Sequence, residues 1–129
     1  MKGNKRERWK QIPGFDYEVS DYGRVRKITG EVVNLHKTSR VSTRAYLTVN
    51  LRRGPNDWVH LLVANLVAEA FVGPRPPGKE VNHKDLNKQN NYWKNLEWLT
   101  HQENAKHWRQ AARNEMMERA VAKTLLNPL

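Results

Sequence analysis

The sequence predicts an α+β fold: a small N-terminal antiparallel β-sheet, a linking helix, a C-terminal strand–loop–strand–helix motif and a helical tail. Three observations predict it. Residues 45–52 alternate, with Leu47, Val49 and Leu51 on one side and Tyr46, Thr48, Asn50 and Arg52 on the other, the period of a half-buried strand. Residues 58–72 are apolar but interrupted by His60, Asn65 and Glu69, which reads as a buried amphipathic helix too short to cross a bilayer. Two strand signals, Glu80-Val81 and Leu96-Glu97-Trp98-Leu99, lead to a helix start at Thr100, where Glu103 three residues on completes a capping box.

The elements follow in order. The segment from Trp9 to Ser20 reaches the turn Asp21-Tyr22-Gly23. Residues 23–27 alternate, so Arg24 and Arg26 share one strand face and Val25 points to the other. After a turn at Thr29-Gly30, residues 31–43 form a strand and an exposed loop carrying Lys37 and Arg40. Gly54-Pro55-Asn56-Asp57 closes a hairpin, and the linking helix starts at Trp58-Val59-His60, with Leu61, Leu62, Val63, Leu66, Val67, Ala70 and Phe71 as its apolar face. Pro74-Arg75-Pro76-Pro77-Gly78 ends that helix as a stiff connector. Residues 110–129 read as a helix with Ala111, Ala112, Met116, Ala120, Leu125 and Leu126 along it and Arg109, Arg113, Arg119 and Lys123 on a basic side. This tail is expected to contact a polyanion through its basic side, to pack back on the domain or to form a dimer seam. The chain thus divides into a basic β-rich region (1–57), a helix and Pro-rich connector (58–78), a chemical motif (79–109) and a tail (110–129).

At 129 residues the chain supports one domain. Its 23 Lys+Arg against 13 Asp+Glu give a net charge of +10, which favours a polyanionic partner through phosphate contacts and counterion release. The charge is uneven: residues 1–53 hold 13 Lys+Arg against 5 Asp+Glu, so phosphate anchoring is expected mainly there. Arg24, Arg26 and Lys27 on one strand, Lys37, Arg40 and Arg44 in the loop, and Arg52 on the hairpin are the candidate DNA contacts. A two-stranded ribbon fits the major groove. There is no cysteine, which excludes disulfides and Cys-ligated zinc. The charged N-terminus, Met1-Lys2-Gly3-Asn4-Lys5-Arg6, is followed by no apolar export segment, so a cytoplasmic location without a membrane partner is expected.

A histidine beside oxygen-bearing side chains on so basic a chain suggests phosphodiester hydrolysis. That chemistry needs an activated water, a cation on the scissile phosphate and a group that orients the base. His83, after the first strand signal, can be the base because its ordinary pKa lies near neutrality. Asn95, twelve residues on, can bond the other imidazole nitrogen. Asn104, four residues past the helix cap, can aim its amide oxygen at the hairpin, and Asn82 can supply a second oxygen. His107, one turn beyond Asn104, either touches phosphate or metal or packs beside Trp108.

The segment from Asn82 to His107 resembles HNH endonucleases of the ββα-metal group, specifically the homing type in which the terminal histidine is replaced by asparagine. Upstream, Trp9-Lys10-Gln11-Ile12-Pro13-Gly14-Phe15 and residues 17–26 look like the small NUMOD4-like motif that often precedes that nuclease domain. The resemblance covers residues 9–107. It implies that His83 activates water, Asn95 orients His83, and Asn82 with Asn104 holds one Mg²⁺ or Mn²⁺ bridging to double-stranded DNA. It implies no small-molecule cofactor. In some relatives the position before the histidine is Asp, and here it is Asn82, which leaves no carboxylate among the implied ligands. Weak metal binding in the absence of DNA is therefore expected. Asp85 forms the turn or reaches in as a substitute ligand, with the turn favoured. Relatives usually carry Gly where this chain has Leu86.

Two other classes compete: a catalytically decayed DNA-binding regulator, and a basic RNA-binding or ribosome-associated protein. The first is kept open by neutral Asn82, and the second explains the charge but not the arrangement at 82, 83, 95 and 104. A monomer or a homodimer fits the sequence equally.

Overall fold

In the computed structural model of the chain, residues 6–42 and 44–126 are described. Residues 1–5 and 127–129, Thr43, and the side chain of Leu126 lie outside that range. The α+β class holds. Strands β1 (Trp9–Gln11), β2 (Tyr17–Ser20) and β3 (Val25–Lys27) form an antiparallel sheet in sequence order. Val19 pairs with Val25, and both are fully buried. The turn between β2 and β3 is held by Ser20, whose hydroxyl oxygen accepts the backbone N–H groups of Tyr22 and Arg24.

A second antiparallel sheet joins β4 (His36–Lys37), β5 (Leu47–Gly54) and β6 (Asp57–Leu62). As the alternation predicts, Val49 and Leu51 are fully buried while Asn50 and Arg52 are exposed. Thr48 departs from the pattern and is buried, its hydroxyl donating to the His36 carbonyl. The hairpin tip places Asn56 at φ 55°, a left-handed conformation that asparagine tolerates well.

The helix expected from Trp58 starts later. Residues 57–62 are β6, paired to β5 through Arg52↔Trp58, Asn50↔His60 and Thr48↔Leu62, and α1 spans only Val63–Val67 before a π-helical turn over Ala68–Val72. The physical reason is the tight tip at Pro55-Asn56, which returns the chain directly onto β5. Cross-strand pairing then governs Trp58 and His60: Trp58 stays 61% exposed, and His60 Nδ1 lies 2.6 Å from Asn50 Oδ1. His60 is therefore a cross-strand partner and not part of the helix start.

One core unites these pieces. Ile12 and, from the first sheet, Tyr17, Val19 and Val25 meet Val49 and Leu51 from the second, Val63, Ala64, Leu66, Val67 and Ala68 from the helical segment, and Leu96. Burying valine or leucine at these sites stabilises the fold by roughly 1.5–3 kcal/mol each. Trp98 packs against this core, and its Nε1–H donates to the Gly73 carbonyl at 3.0 Å.

Strands β7 (Lys79–His83) and β8 (Leu96–Thr100) then form an antiparallel hairpin, followed by α2 (His101–Leu126). The capping box forms: Glu103 N–H donates to Thr100 Oγ1 at 3.1 Å, and Thr100 N–H to Glu103 Oε1 at 2.9 Å. From Ala112 to Leu125 the helix is solvent-exposed, with Met116 at 69% and Leu125 at 75% exposure. Its distal half does not pack back on the domain. Among the described residues no helix is long and apolar enough to cross a membrane.

Candidate active site and nucleic-acid face

Strand β7 delivers His83 into a buried position, 2% exposed, at the mouth of the loop that connects to β8. Its Nε2 lies 2.8 Å from Asn91 Oδ1. An amide oxygen only accepts, so Nε2 carries the proton and Nδ1 keeps its lone pair. The residue on the ring is thus Asn91, not Asn95. Asn95 instead clamps the two ends of the loop. It donates to Asp85 Oδ1 at 2.9 Å and to the Asn90 carbonyl at 2.8 Å, and accepts from Asp85 N–H at 3.0 Å.

Asp85 is the turn residue, as favoured. Its carboxylate also accepts from Asn87 N–H and from the Asn90 amide. Burial pushes its pKa up, but the bonds from Asn90, Asn87 and Asn95 outweigh burial and hold the carboxyl below its ordinary value. Leu86 sits at φ 67°, the left-handed conformation that suits glycine, which costs roughly 1–2 kcal/mol for a side-chain-bearing residue.

Burial lowers the His83 pKa below 6.5; the Asn91 hydrogen bond and the Asp85 charge oppose this, and Lys88 adds to it. His83 is therefore neutral near pH 7 and able to accept a proton. Because the folded value is depressed, the contribution of His83 to stability is present above its ordinary pKa and is lost as pH falls below it. Any reaction that uses His83 as a base is expected to slow only as pH falls below the ordinary imidazole value. Single-turnover rates across the pH range check this; an acid limb centred above neutrality would contradict it.

The loop is fixed from the first sheet. Trp93 N–H donates to the Asp21 carbonyl at 2.9 Å, the rings of Tyr22 and Tyr92 lie 4.7 Å apart, and Gly23 backs directly onto Asn91. A Cβ at Gly23 would stand 2.8 Å from the Asn91 Cβ. The turn Asp21-Tyr22-Gly23, a simple reversal in the sequence, is a seat for the group that holds His83.

The other face of the hairpin carries the oxygens. Asn82 pairs across the strands with Glu97, and its Nδ2–H donates to Glu97 Oε2 at 2.9 Å. Asn104, on the first turn of α2, donates Nδ2–H to Glu80 Oε1 at 2.6 Å. Glu80 and Asn82 are two residues apart on β7 and so share a face. Asn82 Oδ1, Asn104 Oδ1 and His107 Nε2 are buried without a hydrogen-bond partner among the described residues. Buried polar atoms are almost always paired with protein or ordered water, so two amide oxygens and one imidazole nitrogen without a partner on one hairpin–helix unit leave room for a bound cation or water. Two neutral oxygens fit a hard divalent cation such as Mg²⁺ or Mn²⁺, and an imidazole nitrogen adds a borderline donor. A fourth orphan, Asn91 Nδ2, is a donor and does not ligate. Among the described residues no group of three His, Cys, Asp or Glu could hold a metal ion.

The expected DNA contacts separate into two groups. Arg24 forms a two-point ion pair with Glu7, and Arg26 pairs with Glu18 at 2.9 Å while covering the Trp9 ring. Lys27 faces Glu31 at 3.3 Å, and Arg52 donates to the Gly54 carbonyl. Those four are engaged within the protein. Lys37 and Arg40 instead share a surface depression with Asn87 and Gln89, and Arg44 shares a groove with Asp85, Leu86 and Trp108. The second group flanks the loop that carries His83. Lys88, which sequence reasoning passed over, lies 4.5 Å from the Tyr46 ring centroid and 4.9 Å from that of Trp108.

A strand–loop–strand–helix unit that carries a buried histidine and, on its other face, unpartnered amide oxygens has the outline of the ββα-metal motif. Two family models match the chain, HNH endonuclease over residues 57–106 and the NUMOD4 motif over residues 7–52, and the chain belongs to the HNH endonuclease family. It is 36% identical over 108 residues to an uncharacterised HNH endonuclease of Acanthamoeba polyphaga mimivirus, covering 80% of this chain and 26% of that protein. It is 33% identical over 94 residues to DNA endonuclease I-HmuI of Bacillus phage SP01, covering 71% of this chain and 52% of that one. A solved structure of the HNH homing endonuclease I-HmuI, described for DNA binding and cleavage, matches with a TM-score of 0.69 at 30% identity, over 90% of this chain and 66% of that one. The chain spans about a quarter to a half of the length of the curated relatives.

Proposed function

We propose that the chain is a metal-dependent DNA endonuclease of the HNH homing type, in which His83 activates water and Asn82 with Asn104 holds one Mg²⁺ or Mn²⁺. The single observation that carries this reading is the pair of buried, unpartnered oxygens at Asn82 and Asn104 on the same hairpin–helix unit that holds His83. Nδ1 of His83 takes a proton from water as the water oxygen bonds to phosphorus and the bond to the leaving sugar oxygen breaks. The nearby Asp85 charge favours the imidazolium that results. A bound cation supplies Lewis-acid stabilisation of the scissile phosphate and leaving oxygen. Asn91 keeps the ring oriented throughout, and His107 contributes its free nitrogen to metal or phosphate.

In this reading residues 1–57 provide most of the grip on double-stranded DNA, with Lys37, Arg40 and Arg44 beside the cleavage loop, and residues 79–109 provide the chemistry. One site acting as a monomer makes a nick; a homodimer would cut both strands. The proposed setting is the cytoplasm of a bacterial or phage-infected cell.

A second reading, a decayed DNA-binding regulator, is favoured by one observation, the absence of a carboxylate at position 82. Supercoiled plasmid incubated with Mg²⁺, Mn²⁺ or EDTA separates the two. Relaxed circles only with a divalent cation are expected. DNA binding with no cleavage under any cation would support the decayed regulator, and preference for RNA in competition would overturn both.

A further inference from the structure

We infer that Glu97 and Glu80 are positioning residues that fix the amides of Asn82 and Asn104 with their oxygens turned to the cation, and that they supply the negative charge the ligands themselves lack. This rests on the cation site proposed above. A primary amide has two chemically different ends, and only its partner decides which end faces a site. A carboxylate accepts and cannot donate, so Glu97 captures Asn82 Nδ2 at 2.9 Å and Glu80 captures Asn104 Nδ2 at 2.6 Å. Both oxygens are left buried and without a partner. Had either amide been bound through its oxygen, an N–H pair would face the cation position and repel it.

The same bonds also adjust the donors. An amide that gives its N–H to a carboxylate is polarised, and its oxygen becomes a better electron donor. Glu97 sits directly across from Asn82 in the strand register, and Glu80 is two residues before Asn82 on the same strand face. Both carboxylates are half-buried. The charge that an aspartate at position 82 would bring has thus moved one contact outward, onto the strand partner. His101 Nδ1 lies 3.4 Å from Glu80 Oε1 and restrains that carboxylate from the helix side.

Charge exchange between positions 82 and 97 tests this with the full chain and Mn²⁺ alone, read by the loss of the free-ion electron paramagnetic resonance signal. Glu97→Gln can donate to Asn82 Oδ1 and capture it, so Mn²⁺ affinity is expected to fall about 10- to 100-fold. Asn82→Asp alone sets two carboxylates face to face and is expected to lower the unfolding temperature without Mn²⁺. The double variant Asn82→Asp with Glu97→Gln restores one carboxylate and one amide, and its Mn²⁺ affinity should return to the wild-type level or above. Glu80→Gln should weaken Mn²⁺ in the same direction as Glu97→Gln. Unchanged affinity in Glu97→Gln would overturn the inference alone, as would a loss that the double variant fails to recover at an unchanged unfolding temperature. Absence of saturable Mn²⁺ binding in the wild type and in the double variant would overturn the cation site as well.

Discussion

Gly23→Ala is expected to slow DNA cleavage by about 100-fold although Gly23 touches no reacting atom. Its φ of 88° is left-handed, and an added Cβ would lie 2.8 Å from the Asn91 Cβ, closer than two carbons can pack. Backbone strain at such a position costs roughly 1–2 kcal/mol. The cheaper escape is for Asn91 to move, and it cannot move without releasing His83 Nε2. A displacement of about 1 Å in a positioning group suffices for a loss of that size. Single-turnover cleavage measured well below the unfolding temperature checks it. A lowered unfolding temperature with an unchanged rate would show that the turn supports the fold but not the site.

Asn91→Ala is expected to slow cleavage by about 10²–10⁴-fold with DNA affinity retained. Removing the acceptor frees the imidazole to rotate and to adopt the other tautomer, and loss of the orienting group in the serine-protease triad costs about 10⁴-fold. Asn95→Ala removes three hydrogen bonds at the base of the same loop. Its expected signature is mainly lost stability, about 1–3 kcal/mol, with faster hydrogen exchange across the loop. Rate profiles and melting curves for the two variants together check the exchange of roles. An Asn95→Ala enzyme slower than Asn91→Ala at equal foldedness would restore Asn95 as the orienting residue.

What the sequence could reveal depended on how local the cause was. Thr100 and Glu103 satisfy each other within one helical turn, and their spacing alone announced the cap. The positions of Asn82, His83 and Asn104 in the fold were legible because a strand end and a helix start place them with little help from elsewhere. Asn91 was not, because its position follows from the path of a loop whose ends are tied by Asp85 and Asn95 and whose middle rests on Gly23, 68 positions upstream. The only local signal was a run of polar residues in which Asn91 alone is buried to 3% exposure, and burial is invisible in a sequence.

Charge misled in a similar way. Arg24 and Arg26 lie on one strand face as alternation requires, but Glu7 and Glu18 meet them there. Lys37 and Arg40 showed weaker periodicity, and it is they that flank the His83 loop. At Trp58 the apolar run had the length of a helix and the residue types of a strand, and the two-residue tip at Pro55-Asn56 decided for the strand. The arginine partners were fixed by contacts more distant in sequence, and the strand at Trp58 by the adjacent turn.

Single-turnover cleavage of supercoiled DNA at saturating protein, wild type against His83→Ala in Mg²⁺ or Mn²⁺, tests the role of His83 most directly. A loss of about 10²–10⁴-fold, with DNA affinity and unfolding temperature unchanged, is the expected result. Cleavage by His83→Ala at the wild-type rate would contradict it.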